Sequence, residues 1–166
     1  AYRADGTLLT SWGDCGNHQP WPSFYPSLVL AAQWAWYGED GTDEEIDQAL
    51  NQLVFHGSNS HPGKILMEFG KLDLTIDSQI PNASLAWNLL FGSQPEKHQA
   101  FLKKNSSSHN LSQGIELLRS LFSSLDQLGN FSQSENFKSE ISLGLELSIL
   151  SLEHGIAMLK GTRPQE

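Results

Sequence analysis

Two long apolar stripes near the C-terminus constrain this chain's fold more than any other feature. From about Leu111 to Leu128, Ile115, Leu118, Phe122 and Leu125 recur at helical spacing, Leu117, Leu121 and Leu128 widen the face, and Gly129 is a stop signal. From about Ser134 to Lys160, Phe137, Ile141, Leu145, Leu152, Ile156 and Leu159 repeat the pattern. Ser142 to Leu152 alternates like a strand, but its length and the flanking 3.6-residue period decide for a helix, with Gly144 admitting a close neighbour. Two such helices joined by a short turn lie antiparallel and bury their stripes against further layers.

Upstream segments carry the same grammar. Thr42-Asp43-Glu44-Glu45 is a capping box opening a helix with Ile46, Ala49, Leu50, Leu53 and Val54 on one face, ending near His56-Gly57. The acidic cluster therefore reads as a helix start complementing the dipole, not as a metal site. A short helix from about Gly63 shows Ile65, Leu66, Phe69 and Leu72, shorter ones cover 84–92 and 95–104, and 105–110 reads as a polar linker. The segment Pro26–Tyr37 differs from these. It has no charged residue and is apolar on nearly every side, which predicts burial on several faces, with Pro26 in its first turn and Gly38 at its end.

Before that helix, Thr7 to Thr10 reads as a short buried strand. Strand, loop and apolar helix make one βα unit, which cannot form a sheet alone and is expected to complete one supplied elsewhere. No targeting segment precedes it, and the chain is expected to be part of a longer protein. The expected fold is mainly α: one residual βα unit over residues 1–38, followed by a helical domain over 39–166.

The net charge of −9 leaves no excess of cations for nucleic-acid phosphates and disfavours an anionic membrane surface. No run of 18 apolar residues suggests a transmembrane span. The single cysteine, Cys15, excludes an internal disulfide and a multi-cysteine zinc site. His56 and His61 lack ligand spacing, with no carboxylate following them before Glu68. With no phosphate loop and no nucleophile elbow either, no cofactor is expected.

The chemistry concentrates between Ser11 and Trp21. Trp12, Asp14, Asn17, His18 and Trp21 crowd a loop punctuated by Gly13, Gly16 and Pro20. Loops are usually polar, so indole rings there need a reason. One is a sugar, whose apolar face stacks on Trp while its hydroxyls pair with carboxylate and amide groups. The other is that Trp12 and Trp21 plug the top of a core.

The run Ser11-Trp12-Gly13-Asp14-Cys15-Gly16-Asn17-His18-Gln19-Pro20 resembles the last barrel strand and loop of family 20 glycoside hydrolases, the β-N-acetylhexosaminidases. Phe24-Tyr25-Pro26-Ser27-Leu28 and Trp34-Ala35-Trp36 are similar to the final barrel helix, and Asp43 to Asn51 to the start of the helical region that follows. The match covers about residues 7 to 55. It implies the last unit of a (β/α)8 barrel, in which residues just after a strand face the active site. By resemblance, Trp12 walls the pocket around the N-acetyl sugar and Asp14, where many members have Glu, hydrogen-bonds its outer hydroxyls. His18 and Trp21, further round the loop, line a subsite or brace it.

Catalysis in that family is substrate-assisted: the acetamide attacks the anomeric carbon, an Asp orients it and a Glu serves as acid and base. The adjacent Asp-Glu pair belongs to an earlier strand, and Asp43-Glu44 lies after the last barrel unit. No catalytic residue is therefore assigned here, and the chain alone is expected to be inactive. The implied partners are an N-acetylhexosamine-containing glycan and the N-terminal barrel portion of the same protein. The resemblance is compatible with a secreted or periplasmic location. The alternative is a non-catalytic helical binding module whose N-terminal aromatics form a partner surface.

Overall fold

The computed structural model of the 166-residue chain describes residues 6, 8–10, 18–39, 41–56, 60–78, 84–92, 101–104, 106–131 and 134–161. Among these the protein is all α. A 3-10 turn at Trp21–Phe24 leads into α1 (Tyr25–Tyr37), α2 (Asp43–Leu53), α3 (Pro62–Gly70), α4 (Leu72–Thr75), α5 (Leu85–Phe91), α6 (Ser108–Asp126) and α7 (Ser134–Lys160). Residues 101–104 form a further helical turn.

Helix starts follow cap chemistry. Thr42 Oγ1 accepts from the Glu45 amide at 3.2 Å while the Glu45 carboxylate accepts from the Thr42 amide at 2.8 Å, completing the capping box of α2. These hydrogen bonds, the backbone one first, hold the Glu45 carboxyl below its usual range. Ser84 caps α5 through the Trp87 amide and Ser107 caps α6 through the Asn110 amide, each at 3.1 Å. The second cap starts α6 at Ser108, so the expected linker 105–110 is partly helix. Gly38, with φ of 74°, ends α1 in the left-handed conformation that glycine adopts without a Cβ penalty.

The antiparallel pair α6–α7 forms the spine of the core. Leu111, Leu118 and Leu125 face Ile141, Leu145 and Leu152 within a cluster that excludes water. Lys138 Nζ donates to the Leu128 carbonyl at 2.5 Å, placing a cation beside the C-terminal end of α6. Phe55, Phe131 and Phe137 pack edge to face nearby, with centroids 5.2–5.6 Å apart. The helices α3 and α4 pack on α6, whereas α5 packs on α7. By length and composition α7 is apolar enough to cross a membrane. Its buried face packs against α5 and α6.

Two expectations at the N-terminus come out differently. Leu8, Leu9 and Thr10 carry no strand, and Leu8 is 88% exposed. A strand is stabilised by its ladder and by a covered face, and neither is available among the described residues. The apolar helix α1 has no buried residue. Only Tyr25, Val29 and Leu30 pack partly on the core, because α2 and α3 cover one side of the helix alone. Trp34, Trp36 and Tyr37 project outward, with Trp36 84% exposed.

Close packing across the spine depends on Gly114. A Cβ there would stand 2.5 Å from Ile76 Cγ2 and 2.8 Å from Leu152 Cδ1. Overpacking of about 1–3 kcal/mol opposes about 1 kcal/mol gained in helix propensity. Gly114→Ala is therefore expected to lower stability in chemical denaturation. Gly70→Ala, where a Cβ meets nothing within 4 Å, is expected to leave it unchanged or raise it.

Candidate functional site

Trp12 and Asp14 lie outside the described residues. The chain is described again from His18, and from there the geometry is specific. His18 Nε2 lies 3.1 Å from Ser148 Oγ on α7, and the imidazole lies between that helix and two rings of α5. Trp87 stacks on it at 6.3 Å with an interplanar angle of 17°, and Phe91 is tilted at 6.4 Å. Burial pushes the His18 pKa below its usual value, because desolvation disfavours the imidazolium. Pro20 follows, and its carbonyl accepts from the Ser23 amide at 3.0 Å and the Ser23 hydroxyl at 2.6 Å, tightening the turn into α1.

Trp21 takes a different position. It is 65% exposed, with Phe24 against its ring at 5.6 Å, while the neighbouring Pro22 is buried. Trp21 therefore does not plug the core, because the imino ring beside it occupies the inward-facing position. His18 and Trp21 accordingly diverge, one toward α5 and α7 and the other toward solvent.

Sequence periodicity also missed a buried acid. Asp47 is 2% exposed, on the inward face of α2 between Ile46 and Leu50. Its Oδ2 lies 2.6 Å from His61 Nδ1, and its Oδ1 accepts from the Lys64 amide at 3.2 Å. One carboxylate thus orients His61 and caps α3, whose own N-cap residue makes no side-chain cap. A Cβ on Gly63 would come within 2.7 Å of Asp47 Oδ1, so only glycine lets the carboxylate this close. The available signal was an acid at a core position of the α2 stripe. His61 opens on a cleft of about 400 Å³ with Lys64, Glu68 and Ser124 at its walls. No group of three or more His, Cys, Asp or Glu side chains able to hold a metal occurs among the described residues.

Asp43 sits at the exposed start of α2 and pairs with Lys71 at 3.0 Å, and Lys71 also meets Glu68 at 2.8 Å. Those two contacts, Glu68 first, raise the Lys71 pKa. Between α1 and α2 runs an apolar groove of about 630 Å³, walled by Leu28, Trp36, Tyr37, Ala49 and Leu53. Gln33 crosses it to hydrogen-bond Glu45.

No family model, no curated protein and no solved structure matches the chain.

Two charged groups give measurable consequences. Removing the Asp47 carboxylate strands the α3 amide and releases His61. Asp47→Ala is expected to cost about 2–3 kcal/mol, against about 1 kcal/mol for His61→Ala, whose ring is half exposed, as read by urea denaturation. Asp73 is pushed up to about 6 by burial, against the lowering effect of the Leu85 amide that donates to it. An unfolded Asp ionises near 3.8, so the folded state is the stronger proton binder between these values. The destabilisation therefore grows as pH rises from about 4 to 6 and stays constant above. Asp73→Asn, which keeps an acceptor for Leu85, is expected to gain about 1–2 kcal/mol at pH 8 and little at pH 4.

Proposed function

We propose that this chain is the C-terminal part of a β-N-acetylhexosaminidase-like family 20 glycoside hydrolase. In that protein, residues 1–38 become the last strand, active-site loop and helix of a (β/α)8 barrel once the preceding portion provides the neighbouring strands, and 39–166 are its helical support. Trp12 stacks on the N-acetyl sugar and Asp14 binds its hydroxyls. Trp21, exposed beside this loop, extends the aromatic surface, and His18 braces it. The acid, base and acetamide-orienting groups come from the barrel portion of the same protein, which is the main partner of α1.

The observation that carries this reading is the Trp12-Gly13-Asp14 sequence upstream of a helix without charge and without a buried residue. A 13-residue helix exposing Trp34, Trp36 and Tyr37 is unfavourable in water and is stabilised by further apolar contact. The same surface, with the groove between α1 and α2, also favours the second reading, a non-catalytic helical interaction module.

Two measurements separate these readings. The coding sequence upstream of Ala1 is expected to show alternating strand and helix patterns and an adjacent Asp-Glu pair after an apolar strand. An immediate start codon there sinks the enzyme reading. Titration of that full-length protein with N-acetylglucosamine is expected to quench Trp fluorescence, with the quench lost in Trp12→Ala. Affinity is expected to fall about 10–100-fold in Asp14→Asn, the loss of one charge-assisted hydrogen bond. A quench that survives Trp12→Ala rules out the pocket assignment.

A further inference from the structure

We propose that Asp47 and His61 form a general-base dyad that hydrolyses short-chain carboxylic esters in the cleft between α3 and α6. This site is independent of the family 20 reading and of the residues that carry it.

The dyad is built around a fixed tautomer. An ionised carboxylate has no proton to give, so Asp47 Oδ2, 2.6 Å from His61 Nδ1, accepts. The neutral imidazole therefore carries its proton on Nδ1 and a lone pair on Nε2, across the ring. Nε2 makes no hydrogen bond among the described residues. Asp47 is buried, whereas the His61 side chain is 55% exposed and lines the cleft. The second Asp47 oxygen is tied to the Lys64 amide, so the acid cannot turn away from the ring. An orienting acid behind an imidazole that faces a cleft is the acid–base half of a hydrolytic triad, here with water as nucleophile.

The cleft walls complement that base. Lys64 follows His61 by three residues, which puts both on one side of the α3 start, and both line the cleft. The acid one turn further, Glu68, is drawn to Lys71 at 2.8 Å, and Lys64 pairs with no acid among the described residues. Its ammonium is left to meet a carbonyl oxygen. Ile65, Leu121 and Leu128 give apolar contact for an acyl chain, and a volume of about 400 Å³ suits a small substrate.

The reaction closes on itself. His61 Nε2 takes a proton from water as the water oxygen bonds to the acyl carbon, and the carbonyl electron pair moves onto oxygen beside Lys64. Collapse of this adduct re-forms the carbonyl and breaks the bond to the alkoxide, which takes the proton back from Nε2. A carboxylic acid and an alcohol leave, and the neutral imidazole is restored. His61 and Lys64 are the catalytic residues, and Asp47 is a positioning residue.

The experiment follows acid release from ethyl butyrate by the 166-residue chain in a pH-stat, with ¹⁵N NMR of the His61 ring. Saturable turnover is expected, faster than with six equivalents of free imidazole, one for each histidine. His61→Gln is expected to lower kcat/KM about 10–100-fold, and Lys64→Met to lower kcat about 10-fold. Exposed His109→Gln is expected to change nothing. In Asp47→Asn the introduced amide accepts from Lys64 and donates to Nδ1, which moves the ring proton to Nε2. That variant is expected to lose about 10-fold in kcat at unchanged KM, with the tautomer reversed in the NMR spectrum. Ser124→Trp, filling the cleft from α6, is expected to raise KM.

Turnover no faster than free imidazole, or lost equally in His109→Gln, overturns the site. So does a wild-type His61 protonated at Nε2, or a KM indifferent to Ser124→Trp. If Asp47→Asn fails to fold, His61→Gln and Lys64→Met, both on the exposed wall, still decide.

Discussion

Close approach along one face of α7 is the constraint on which the rest of the arrangement depends. Helices with ordinary side chains between them sit about 8–10 Å apart. Small residues at 144, 148, 151 and 155 leave room at the surface of α7 that Pro20, His18, the Ala86 carbonyl and Leu89 occupy. The opposite side of the spine repeats the device at Gly114, where Ile76 and Leu152 converge. A helix built in this way is a template with shaped recesses, and elements distant in sequence acquire positions by fitting them.

Several polar groups drawn into this interior are matched individually. Ser148 and Ser151 hand their protons to carbonyls, and Asp47 divides its oxygens between an imidazole and an amide. Buried polar atoms are costly when orphaned, so such pairing specifies orientation where apolar packing would accept several. The one helix outside this economy of contacts is α1, uncharged yet exposed.

Much of the architecture was legible because the amphipathic helices announce themselves through their period. The Thr42 box and the α7 stripe lie where residue spacing puts them. Where reading failed, the missing information was tertiary. Asp47 occupies a core position that period alone assigns to an apolar residue, and only its partners His61 and Lys64, from the next helix, account for it. In α1 the composition records how apolar the helix is but not which neighbours are present, so burial was expected where exposure is found. Of the candidate site, the crowding of indoles was visible in sequence. The divergence of His18 from Trp21 was not, because it depends on recesses in α7 more than a hundred residues away.

Asp47 also bears on how α2 and α3 find their alignment. Apolar faces tolerate sliding, since one leucine replaces another after a helical turn of about 5.4 Å. A carboxylate shared between one imidazole and one amide does not, and the gap left by Gly63 admits it at a single place. Misaligned pairings of these two helices would bury a bare negative charge, a penalty of several kcal/mol that correct pairing avoids. The acid thus works as a key between the helices, contributing less to how firmly they adhere than to which of their possible alignments survives.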